Sequence, residues 1–153
     1  MDKIETFTKL HQEFIRVVDR FPVNRRKEIL FDKWNLQDVL IHLTAWNKRD
    51  ALGFQLAFKD KTPIDLFIPD EDLDKFNAKV IAQAKNLTWD VIYNNFVKSG
   101  YELMESAKRL PVSKWTTTVD GAKKIPLTKD FEYSIEHYRD EHIPQIKKVI
   151  KEV

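Results

Sequence analysis

Apolar side chains recur at intervals of three and four along most of this chain, and that periodicity decides the class of fold. In the first segment Ile4, Phe7, His11, Phe14, Val18 and Phe21 alternate between the two spacings. Residues three or four apart lie on one side of an α-helix, so this set forms a stripe that faces a core. Pro22 closes the segment. A second stripe runs through Leu36, Val39, Leu43, Trp46, Asp50 and Phe54 towards Phe58. Its start is marked by Asn35, a good N-cap, and by Asp38, whose charge complements the helix dipole in the first turn. Trp34, just before the cap, is placed to pack on Val39 as a hydrophobic staple.

The stretch 59–70 reads as a connection bracketed by Pro63 and Pro69. Asp70 is expected to cap a shorter helix, with Glu71, Asp72 and Asp74 in its first turns and Leu73, Phe76, Val80 and Ala84 on its buried side. Thr88 opens the next long helix, whose stripe is Trp89, Ile92, Phe96, Leu103, Ala107 and Leu110, and Pro111 stops it. Gly100 inside that helix costs about 1 kcal/mol against alanine, which points to a close helix approach there. Residues 112–127 are the one β-like passage. Threonines and valine precede Asp120-Gly121, a dipeptide suited to a tight turn, so a long loop or small hairpin over one end of the molecule is expected. Thr128 is expected to cap the last helix, which turns Phe131, Ile135, Tyr138, His142, Ile146 and Val149 inward. The pattern predicts one all-α domain over residues 1–153, a four-helix bundle with one short inserted helix.

Composition narrows the function. Lys and Arg total 26 against 24 Asp and Glu, a net charge of +2, without the basic excess of a nucleic-acid binder. No apolar run reaches the ~20 residues of a membrane span. With no cysteine there is no disulfide, no thiolate metal site and no thiol nucleophile. Chemistry on this chain must use water activated by histidine, by a carboxylate or by a bound metal. The first residues, MDKIETFTKLHQEF, are amphipathic and contain acidic groups, unlike a secretory signal, so a cytoplasmic location is expected.

Two segments carry a family likeness. WNLQDVLIHLTAW (Trp34–Trp46) resembles the second helix of the DinB-like superfamily, and IEHYRDEHIPQIKK (Ile135–Lys148) resembles its last helix. The FNAK segment (Phe76–Lys79), Trp115 and the pair His137-Tyr138 are similar to the DfsB-type branch, which includes the colibactin self-protection proteins. This resemblance implies an up-down-down-up four-helix bundle, often a homodimer, acting on a small-molecule ligand. It implies a divalent metal such as zinc or nickel held between helices two and four, and hydrolysis, modification or capture of an electrophilic metabolite. Trp46, Trp115 and Asn77 become the expected ligand contacts, and His42, Tyr138 and Asp50 the expected catalytic groups. Asp50 is expected to orient the His42 ring, and Tyr138 to bond a substrate oxygen.

His42 and His142 match two metal-ligand positions of that superfamily. The third falls four residues before His142, where this chain has Tyr138; the nearest histidine is His137, five residues before His142. On a regular α-helix five steps place two side chains about 140° apart, which keeps His137 and His142 from one ion. Five is also the repeat of a π-turn, and Pro144 cannot donate a backbone hydrogen bond to Asp140. A π-turn before Pro144 would swing His137 towards His142. Asp50 or Glu141 could otherwise complete a two-histidine site. A third reading makes every histidine a hydrogen-bonded packing residue, and for His11, on the first stripe, packing is the favoured one.

Overall fold

The computed structural model describes residues 2–61, 72–118 and 125–151. Their helices are α1 (Lys3–Asp19), α2 (Leu36–Phe58), α3 (Leu73–Ala84), α4 (Trp89–Arg109), α5 (Leu127–Glu136) and α6 (Ile143–Lys151). Between α5 and α6 the chain continues as a π-helical turn, His137–His142, without leaving the helical rod. Short 3₁₀ turns lie at Val23–Arg25 and Val112–Lys114. Among the described residues there is no strand, only isolated antiparallel bridges at Phe31–Trp34 and Thr118–Pro126. The expected connection at Pro63 and Pro69, the cap at Asp70 and the turn at Asp120-Gly121 lie outside the described residues.

Helix starts follow local chemistry. Asp2 caps α1, its carboxylate accepting from the Glu5 amide at 2.9 Å. Asn35 and Asp38 form a reciprocal capping box on α2, each side chain bonding the other's backbone N–H at 3.0 Å. Thr88 caps α4. The last helix departs from expectation: its N-cap position is Pro126, and Thr128 instead donates its hydroxyl to the Trp115 carbonyl at 3.0 Å. A proline ring pre-sets the backbone angle at the entry, and the Thr128 hydroxyl ties the start of α5 to the preceding loop. Trp34 meets the rings of Phe31 and His42.

The core is one apolar cluster drawn from α1, α2, α4 and the α5–α6 rod, with Phe7, Phe14, Leu40, Phe54, Phe96, Phe131 and Ile146 fully enclosed. α2 lies along α4, α1 packs on α4 and on both parts of the last rod, and α5 also touches α2. α3 packs chiefly on α2 and has no fully buried residue. No helix among the described residues is long and apolar enough to cross a membrane.

Gly100 admits a side chain rather than a helix backbone. A Cβ there would stand 2.1 Å from Cε1 and 2.3 Å from Nε2 of His11. The His11 ring, 1% exposed, donates from Nε2 to the Val97 carbonyl at 3.0 Å. Its Nδ1 then has only a lone pair, which faces the Tyr138 hydroxyl at 3.4 Å. The Tyr138 oxygen accepts from Asn47 at 2.8 Å, and Asn47 also donates to Ser99. His11 is thus a satisfied packing residue.

Candidate functional site

α2 faces α5 and the first residues of the π-turn across a cavity of about 490 Å³. Its apolar wall includes Leu43, Trp46, Leu73 and Tyr133, and its polar groups gather at two places. One is the edge of a histidine cluster, of which His42 and His137 line the cavity and His142 does not. His42 comes from α2, and His137 and His142 stand at the two ends of the π-turn. The Ile143 amide bonds the Tyr138 carbonyl five residues back, the wider repeat that turns His137 and His142 to the same side. Pro144 follows directly, where no amide hydrogen is present to close an ordinary turn on Asp140. Ring centroids lie 5.5 Å apart for His42 and His142, 5.4 Å for His137 and His142, and 5.9 Å for His42 and His137. One nitrogen from each ring falls within 4.8 Å of the other two.

Each buried imidazole has an amide partner. His42 Nδ1 is 2.9 Å from Asn77 Oδ1, and His142 Nδ1 is 2.9 Å from Gln145 Oε1. His142 Nε2 is buried without a hydrogen-bond partner among the described atoms. Burial, followed by the His142 and then the His137 ring, lowers His42 to about 3 against the raising bond to Asn77. Burial likewise lowers His142 to about 4, against the bond to Gln145. Both rings are therefore neutral at neutral pH, the form that ligates a metal. His137 is half-buried, its Nε2 3.5 Å from a Glu141 carboxylate oxygen.

The second polar place is a carboxylate network. Asp50, 6% exposed, accepts from the Ser134 hydroxyl at 2.6 Å and from Arg49 at 2.9 Å; Arg49 also reaches Asp130 at 3.5 Å. Burial, with Asp130 adding to it, raises Asp50 to about 7 despite Arg49 and Ser134. A carboxyl group poised at that value can hold or release a proton near neutral pH.

Several expected roles change. Asp50 does not orient His42: eight residues along a helix carry it about 12 Å down the axis, and its oxygens are taken by Ser134 and Arg49. Asn77 bonds His42 instead. Trp115 does not line the cavity; it packs edge-on against Phe54 and Phe131 and donates its indole N–H to the Leu110 carbonyl. The turn after α4 folds it back over the core, where a large aromatic ring buries most area. Tyr138 borders the cavity, yet its hydroxyl is committed to Asn47 and His11, and burial pushes the phenol above its ordinary value. Trp46 does line the cavity, beside Phe76. The Ser134–Asp50 and His11–Tyr138–Asn47 links escape sequence reasoning because they join side chains from different helices, with no spacing signature.

No family model, no curated protein and no solved structure matches this chain.

Proposed function

We propose that this chain is a DfsB-type DinB-like protein, an up-down-down-up four-helix bundle, that binds a divalent metal such as zinc or nickel on His42, His137 and His142. In this reading the adjoining cavity takes a small, electrophilic metabolite and hydrolyses or modifies it. The single observation that carries the reading is the convergence of three imidazole nitrogens within 4.8 Å of one another beside a cavity. The donor set fits the ion: nitrogen ligands suit zinc and nickel, and buried His142 Nε2 is a bare polar atom that a metal would satisfy. The π-turn supports it too, because it gives His137 the reach that a regular helix denies at this spacing.

A divalent ion held there would act as a Lewis acid on water and on a substrate oxygen. The chain's own residues supply the rest. Trp46 and Leu43 offer an apolar wall for the metabolite and exclude water. Asp50, with Ser134 bonded to it, holds a proton at the far polar end of the cavity. A homodimer in the cytoplasm belongs to the same reading.

The test is elemental analysis and zinc titration of untagged protein, so that no tag histidine contributes. One ion per chain is expected, with His142→Ala losing affinity by more than about 100-fold. A wild-type protein that takes up no zinc or nickel overturns the metal reading. The cavity would then favour a non-catalytic binder of small apolar molecules over a purely structural bundle.

A further inference from the structure

α3 contributes no fully buried residue, yet one of its side chains reaches the histidine cluster. The Trp46 indole N–H can only donate, and it points at the Asn77 side-chain oxygen at 3.0 Å. That contact makes the atom the carboxamide oxygen rather than the amide nitrogen. The same oxygen lies 2.9 Å from His42 Nδ1. A carbonyl oxygen only accepts, so His42 Nδ1 carries the proton. In a neutral imidazole the remaining lone pair is then on Nε2.

We propose that Asn77 is a positioning residue for His42: its carboxamide oxygen, oriented by Trp46, holds the ring in the tautomer whose bare nitrogen is Nε2, the one left to join His137 and His142. The role of that nitrogen as a ligand rests on the metal reading above, while the tautomer itself does not. The physical logic is that of any outer partner of a metal-bound histidine: it fixes the ring's orientation and removes the cost of choosing a tautomer on binding. It also makes α3 part of the site, because a helix otherwise lying on the surface of α2 sets which nitrogen His42 presents.

The experiment compares wild type, Asn77→Leu and Asn77→Asp. Long-range proton–nitrogen NMR of the metal-free proteins at neutral pH reads the His42 tautomer, and zinc titration reads affinity. Thermal melts establish that the variants are folded. Wild type should show a protonated Nδ1 and a bare Nε2. Asn77→Leu, which removes the acceptor, should show averaged nitrogen signals and a zinc affinity about 10–100-fold weaker. Asn77→Asp keeps an acceptor on the same stem and should restore the wild-type nitrogen pattern, with affinity within several-fold. An Asn77→Leu protein with the wild-type nitrogen pattern overturns the inference, as does unchanged zinc affinity. If wild type binds no zinc, the metal reading fails by itself, and the nitrogen spectra alone decide the role of Asn77.

Discussion

Gly100→Ala is the substitution whose outcome the packing fixes most sharply. Alanine is the better helix former by about 1 kcal/mol, so at an exposed helical position it would stabilise. Here the added methyl would sit 2.1–2.4 Å from three atoms of the His11 ring. The ring has nowhere to go: Phe7 stacks on it, Phe96 and Tyr101 press its other sides, and its two nitrogens are bonded to Val97 and Tyr138. Overpacking of this kind costs about 1–3 kcal/mol, and loss of two hydrogen bonds adds about 1 kcal/mol each. After the helix-propensity gain, the net destabilisation is about 2–4 kcal/mol. For a chain of this size that lowers Tm by about 5–15 °C. The decisive assay is a double-mutant cycle by urea denaturation. In a His11→Ala background the ring that the methyl would strike is gone, so Gly100→Ala should there stabilise by about 0.5–1 kcal/mol. Equal destabilisation in both backgrounds would refute the argument that the ring and the missing Cβ share one space.

Two further expectations concern charge and capping. Asp50 is raised from 3.8 to about 7 by burial and Asp130, so the folded state holds its proton more tightly than the unfolded chain between those values. Its contribution is therefore present below about pH 4 and is lost as pH rises towards about 7. Urea melts of Asp50→Asn and wild type should diverge in the variant's favour across that window, while the opposing histidine contributions cancel in the difference; a pH-independent difference refutes it. Asn35→Ala removes one half of the α2 capping box and should cost about 1–2 kcal/mol, read from the same melts, with Asn35→Gly costing less.

The parts of the molecule legible in the sequence are those set by local periodicity. The stripe from Phe7 to Phe21 and the stripe from Ile92 to Leu110 are buried as read, because a long amphipathic helix has only one face to hide. Asn35 and Thr88 are legible as caps because capping is a contact within one turn. The π-turn is not decided by sequence. Histidines five apart with a following proline admit both windings, and packing of Tyr138 into the core bears on which one forms. Ser134 carries no signal of its own, and the FNAK likeness marks Asn77 as a ligand contact rather than as the partner of His42, since each acquires its role from a side chain on another helix. Trp115 misleads for the opposite reason: an aromatic ring in a loop suits a ligand wall and a core wedge equally well until the loop's path is known.

The wide turn at 137–142 bears on how such a helix tolerates a change of length. One surplus residue in a regular helix rotates everything beyond it by about 100°. Here the surplus is taken up locally, so that Ile146 still reaches the interior while Arg139, Asp140 and Glu141 bulge into solvent as slack. A chain lacking any one of those exposed residues would set the same two imidazoles a single ordinary turn apart. The bulge thus lets this length of chain and one a residue shorter serve the same arrangement of rings.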